Sequence, residues 1–163
     1  MSVSFIRIDD RMIHGQTCTR WAREYPCDGL IAVNDKAADN SVLKAAYKAA
    51  SGKKTFVWTL DAFAKKSQKV LDSDTQYFLI TKNPVDMATI LVDQGFKCGI
   101  DTVIVGSCND REGAVKLGNN QSITQEEADA FERISKAGYK IKFALLPDVS
   151  IGTWDDFKGK FGY

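Results

Sequence analysis

The segment from Phe5 to Trp21, FIRIDDRMIHGQTCTRW, gathers the residues best equipped for chemistry. It holds His14, the one histidine of the 163 residues, with Arg11 three positions before it, Asp10 four before it, and Gly15 and Gln16 directly after. Neutral imidazole is a competent nucleophile near pH 7 and a good leaving group once it carries a phosphoryl group. A carboxylate fixes its tautomer, and a guanidinium fork meets two phosphate oxygens at once. Arg7, Asp9, Asp10 and Arg11 packed so densely around His14 would build a poor core. The pattern therefore points to a phosphoryl group carried on nitrogen. The competing reading is a histidine that merely caps a helix or packs on the surface.

Elements on either side must position that cluster. Val3 to Ile8 reads as a strand. Cys18, Trp21, Ala22 and Tyr25 then share one face of a helix from about Gly15 to Tyr25, ended by Pro26. A strand feeding a helix through a charged loop turns the helix's unpaired N–H groups toward the loop, where anions are favoured. Gly29 to Val33 is almost continuously apolar, which suits a parallel strand covered on both faces. Strands follow at Thr55 to Trp58, Tyr77 to Thr81, Thr102 to Val105 and Tyr139 to Leu145.

Between the strands lie helices with recognisable ends. One carries Leu43, Ala46, Tyr47 and Ala50 and closes at Gly52. Another runs from Leu60 to Leu71 behind Thr59. A third opens at Asn83-Pro84, a cap followed by a first-turn proline. A fourth begins with the capping box Thr124-Gln125-Glu126-Glu127 and reaches Ala137. Residues 111 to 123 fit either a turn at Gly118-Asn119-Asn120 between extended pieces or a plain loop. The tail from Trp154 to Phe161 fits a short helix. The predicted fold class is α/β: an open, mostly parallel sheet with helices on both faces, in a single domain over residues 1–163. Such sheets bind ligands beyond the C-terminal strand ends, where neighbouring connections diverge to opposite faces. Asp9 to His14, Asn34-Asp35, Thr59, Thr81-Lys82 and Gly106-Ser107 all fall at that edge.

The run Arg7-Ile8-Asp9-Asp10-Arg11-Met12-Ile13-His14-Gly15-Gln16, with Trp21 five residues on, closely resembles the opening of the B component of the mannose/fructose/sorbose family of the bacterial sugar phosphotransferase system. Asn34-Asp35, Lys82-Asn83-Pro84, Gly106 and Leu146-Pro147 extend the resemblance over most of the chain. Ser107-Cys108-Asn109-Asp110-Arg111 departs from the Gly/Asn/Met-rich run of many members. The resemblance implies that His14 is phosphorylated by a phosphohistidine A component. It then passes the group to a sugar held by membrane C and D components, as a protein-N(pi)-phosphohistidine–sugar phosphotransferase. It also implies a cytoplasmic chain at the membrane transporter, and related proteins are often homodimers.

Within that scheme Arg11 would grip phosphate oxygens and Asp10 would orient the imidazole or fix its tautomer. Gly15 and Gln16 would offer backbone N–H groups and close approach. Arg7 would either reach the phosphate or pair structurally with Asp9. Asn34, Asp35 and Ser107 would line a pocket, or else serve only as turn residues. A second class of function stays open: a non-enzymatic phosphate-binding or regulatory module using the same His/Arg loop.

Composition narrows the field. The net charge of +1 gives no broad pull toward nucleic acid or anionic membrane. No apolar run approaches the roughly 20 residues that span a bilayer, and no leader is expected. Cys18, Cys27, Cys98 and Cys108 form no CxxC pair, and a single histidine falls short of the usual zinc sets. They read as free thiols, so no metal is expected. GxGxxG and GxxxxGK[ST] are both missing, so no nucleotide cofactor is expected either.

Overall fold

The computed structural model describes residues 2–15 and 17–163. In chain order the strands are β1 (Val3–Ile8), β2 (Gly29–Val33), β3 (Lys54–Trp58), β4 (Tyr77–Thr81), β5 (Thr102–Val105), β6 (Val115–Gly118), β7 (Gln121–Ile123), β8 (Lys140–Leu146) and β9 (Val149–Thr153). One sheet takes the order β3-β2-β4-β1-β5-β8-β9. Its first six strands run parallel, and β9 closes the edge antiparallel to β8. β6 and β7 form a separate antiparallel hairpin.

The α-helices are α1 (Ala22–Glu24), α2 (Asp35–Ala38), α3 (Ser41–Ser51), α4 (Leu60–Leu71), α5 (Pro84–Ala88), α6 (Gln125–Lys136) and α7 (Trp154–Phe157), with a π-helical turn at Thr89–Asp93 continuing α5 and a 3-10 turn at Lys158–Phe161 continuing α7. Their ends follow the side-chain chemistry. Asn34, Asn40, Thr59, Asn83 and Thr124 each accept a first-turn N–H, Pro84 occupies the first turn of α5, and Gly52 takes the left-handed cap of α3 at φ 62°.

The sheet divides the core in two. On one face Phe5, Leu30, Ala32, Phe78 and Ile80 pack with Trp21, Ala37 and Tyr47. On the other, Ile6, Ile8, Leu79 and Val105 meet Phe63, Met87, Phe131 and Ile134. The chain therefore leaves β1 over the first face, whereas the neighbouring strands β4 and β5 send theirs over the second. The C-terminal end of β1 is a switch point of the kind at which ligands bind.

The segment after the His14 loop differs from the single α-helix that the sequence predicts. It is a π-helical turn (Thr17–Trp21) followed by α1. So short an element offers little dipole, and the anion-site argument built on a full helix loses force. Aromatic stacking holds it down instead: the Phe5 ring lies 5.1 Å from Trp21 and 4.7 Å from Tyr25, contacts typically worth about 0.5–1.5 kcal/mol each. Residues 111–123 resolve as the β6–β7 hairpin, with Asn120 at φ 55° in its turn, a conformation asparagine tolerates. α2 and β9 carry no sequence signal. α2 is a single turn, and β9 is an edge strand whose residues are mostly exposed and show no alternation.

Candidate active site

The pleat of β1 sorts the charged residues. Side chains two apart share a face, so Arg7 and Asp9 continue the face of Phe5 while Asp10 turns to the other. Asp9 is fully buried and its carboxylate is the hub. Oδ2 lies 3.0 Å from His14 Nε2 and also accepts from Arg7, at 3.3 Å from Nε and 3.2 Å from Nη2. Oδ1 accepts the Arg11 backbone N–H at 3.0 Å and stands 3.8 Å from Arg11 Nε. Arg7, likewise fully buried, donates from Nη1 to the carbonyl of Ala144 and from Nη2 to that of Leu145, at the end of β8. Its guanidinium sits 4.8 Å over the Trp21 ring, whose Nε1–H donates to the same Leu145 carbonyl. A buried ion pair is tolerable when its hydrogen bonds are met in this way.

Burial alone would raise the Asp9 pKa. The His14 hydrogen bond and the Arg7 charge outweigh it, and the carboxyl ends below its ordinary value. An ionised carboxylate only accepts, so Nε2 of His14 carries the hydrogen and the lone pair of the neutral ring resides on Nδ1. The His14 side chain is 16% exposed and that of Arg11 50%. A partly exposed imidazole is thus backed by a buried anion and flanked by an accessible cation.

The loop that presents them is anchored from below. Met12 and Ile13, an apolar pair among charges, are buried in the core beside Trp21. Met12 sits at φ 55°, a left-handed conformation that costs about 1–3 kcal/mol for such a residue and persists only where the surroundings enforce it. Its N–H closes a turn onto the Asp9 carbonyl at 2.9 Å. The Asp9 N–H donates to Thr81 at the end of β4, the Asp10 N–H donates to Ser107, and the Asp10 Oδ2 accepts the Asn109 N–H at 2.7 Å. Gly106 completes the packing, because a Cβ there would fall 2.6 Å from Arg7 Cζ and 2.8 Å from Asp9 Oδ2.

The structure thus brings His14 and Arg11 together and reassigns their neighbours. Asp9, not Asp10, contacts the imidazole, since the pleat points Asp10 away. Arg7 takes the structural alternative, too deeply buried to meet a phosphate. At Gly15 a Cβ would meet nothing within 4 Å, so the space beside its backbone is open. Gln16 lies outside the described residues.

Asn34 and Asp35 line a polar cleft of 380 Å³ with Lys36, Lys82, Asn83 and Asp86, and His14 does not border it. Their atoms are engaged structurally: Asn34 caps α2 and donates to Asp86, and Asp35 accepts the Leu60 N–H. Ser107 is buried and contributes its backbone carbonyl. A larger cleft of 440 Å³, lined by Thr102, Tyr139, Lys140 and Trp154, opens at the opposite edge of the sheet. Sequence reasoning missed Asp9 as the imidazole's partner, although the two-residue spacing from Arg7 was a usable signal. Among the described residues no group of three or more His, Cys, Asp or Glu is placed to hold a metal ion.

A family model for the PTS system sorbose subfamily IIB component matches residues 3–162. The chain belongs to this family. It is 30% identical over 149 residues to the fructose-specific EIIB component of Bacillus subtilis, covering 90% of each chain. It is 31% identical over 157 residues to the sorbose-specific EIIB component of Klebsiella pneumoniae, covering 93% of each. With the mannose-specific EIIAB component of Escherichia coli it shares 29% identity, over 87% of this chain and 44% of that one. The crystal structure of the IIBSor domain of the Klebsiella pneumoniae sorbose permease superposes with a TM-score of 0.86 at 28% identity, covering 100% of this chain and 99% of that domain. IIB components receive a phosphoryl group from a IIA component and transfer it to sugar, so this chain is a phosphotransferase of sugar uptake.

Proposed function

We propose that Nδ1 of His14 is the atom that carries the phosphoryl group. The observation behind this reading is the 3.0 Å hydrogen bond from Nε2 to Asp9, which leaves Nδ1 as the basic nitrogen. In the first transfer the donor's P–N bond breaks as the P–Nδ1 bond forms. In the second, P–Nδ1 breaks as a P–O bond forms to a sugar hydroxyl, whose proton passes to solvent, and His14 regains its lone pair. Throughout, Nε2 keeps its hydrogen. A ring bonded to phosphorus at Nδ1 and to hydrogen at Nε2 carries positive charge, and the buried, preorganised Asp9 carboxylate stabilises that charge. The protein otherwise positions groups and balances charge, as phosphoryl transfer requires.

The donor in this scheme is a phosphorylated A component, and the acceptor is a sugar held by membrane C and D components. The chain works in the cytoplasm, peripherally at the transporter, without cofactor, metal or nucleic acid. The relatives are named for fructose, sorbose and mannose, which supports a hexose as cargo. Nothing in the site favours the non-enzymatic alternative. The test is direct: a phosphorylated A component should convert this chain to an acid-labile, base-stable adduct at His14, and failure to form it would overturn the reading. A homodimer is also proposed, and sedimentation equilibrium showing only monomer would remove it.

Arg11 gives a sharper test. As a clamp on the moving group it makes paired hydrogen bonds that a lysine point charge cannot copy. Hydrogen bonds to charged groups are worth about 1.5–3 kcal/mol and ~1.4 kcal/mol is tenfold in rate, so Arg11→Ala should slow single-turnover transfer roughly ten- to a hundredfold. Arg11→Lys should fall between Arg11→Ala and wild type. The structural alternative is its 3.8 Å approach to Asp9. That predicts a lowered Tm with normal rates, but at half exposure such a pair is worth little. Normal rates in a destabilised Arg11→Ala chain would mean that the arginine is a strut.

A further inference from the structure

We propose that Asp10 is a positioning residue for phosphoryl transfer: it clamps the His14 loop to the Ser107–Asn109 segment and so holds the imidazole at its working geometry. The proposal rests on His14 being the carrier. Asp10 makes no contact with the imidazole. Its N–H donates to the Ser107 carbonyl at 2.8 Å, and its Oδ2 accepts the Asn109 N–H at 2.7 Å. One residue thus uses both backbone and side chain to grip a single short segment.

The far jaw of the clamp is tied in several places. Cys108 exchanges backbone hydrogen bonds with Asn120 and Ser122 of the hairpin, at 2.6 and 2.9 Å. Gln121 ties the hairpin to the end of β5 through the carbonyls of Val105 and Gly106. Arg111 donates to the Asn109 carbonyl and pairs with Glu127 in the first turn of α6. The near jaw needs holding. Asp10 sits between Asp9, which grips His14, and Met12, whose left-handed backbone would relax if released.

A further observation sets Asp10 apart from an ordinary loop carboxylate. Among the described residues its Oδ1 is buried without a hydrogen-bond partner. Leaving a carboxylate oxygen unpaired away from water is unfavourable, and a surface side chain free to rotate would turn it to solvent. The clamp holds Asp10 against that tendency, so the segment's geometry is enforced rather than incidental.

The test uses the full chain and a phosphorylated A component that reacts with wild type. Single-turnover transfer is followed across donor concentrations, with Tm and amide hydrogen exchange measured alongside. Asp10→Ala should lower the maximal rate about tenfold, the factor that ~1.4 kcal/mol makes in a rate. It should leave the half-saturating donor concentration within about threefold, still give complete phosphorylation of His14 at long times, and exchange the Asn109 amide faster. Asp10→Asn keeps an oxygen to accept from Asn109 and should recover both the rate and the protection. If Asp10→Ala does not fold, Asn109→Pro removes the donor N–H and should produce the same slowing. A wild-type maximal rate in the folded Asp10→Ala or Asn109→Pro chain overturns the proposal, as does an Asp10→Asn chain as slow as Asp10→Ala. Failure of the carrier reading would appear separately, as phosphoryl uptake that survives in His14→Ala.

Discussion

A His14→Ala chain incubated with phosphorylated A component should gain no mass, while wild type gains one phosphoryl group. The expected loss is complete because the chain has no second histidine to take over. Stability should change little. The side chain is partly exposed, and its removal leaves Asp9 still paired with Arg7 and still accepting the Arg11 N–H. The apolar residues that root the loop, Met12 and Ile13, are untouched. A Tm within a few degrees of wild type, with intact mass unshifted after prolonged incubation, is the combined result expected. Undiminished phosphorylation of this variant would place the carrier elsewhere and end the mechanism.

Gly106→Ala should be strongly destabilising. The added methyl would press on Arg7 Cζ and Nη2 and on Asp9 Oδ2, all buried and none at the end of a flexible chain free to swing aside. Overpacking a core typically costs about 1–3 kcal/mol, and separating a buried ion pair about 3–5 kcal/mol. For a domain of this size each kcal/mol lowers Tm by roughly 2–4 °C, so a fall of about 10 °C or more is expected, with transfer impaired in whatever remains folded. Gly15→Ala is the matched control for stability, since its methyl would enter open space. Thermal unfolding of the two proteins decides the matter. Equal Tm values would mean that the Arg7–Asp9 pair does not occupy the space under Gly106.

Much of the scaffold was legible because its signals are local. Caps at Thr59, Asn83 and Thr124 mark helix starts through the backbone N–H each side chain satisfies, and apolar runs at β2 and β4 announce strands covered on both faces. The location of the site followed from topology, since His14 and Arg11 come after a strand end. The division of labour inside the loop did not. Asp9 and Asp10 are equivalent as letters, and only the pleat of β1 decides which carboxylate turns toward His14 and which toward Ser107. Extending the strand's alternation by one residue would have assigned them. For Gly106 the sequence marked only a strand end, because its role lies in the width of a guanidinium that arrives from another strand. Asn34 and Asp35 share the edge of the sheet with the site, but proximity to an edge says nothing about which crevice a side chain borders.

The two carbonyls that receive Arg7, those of Ala144 and Leu145, lie more than a hundred residues from the loop they support. That separation governs when the site can exist. A ribosome releases the His14 loop before these strands, yet β1 becomes a central strand only after β4 and β5 have been made, and Arg7 finds its last acceptors only when β8 arrives. Pairings so distant in sequence are slow to close. Until they do, water meets the guanidinium's donors, and the site cannot close before its last acceptors are in place.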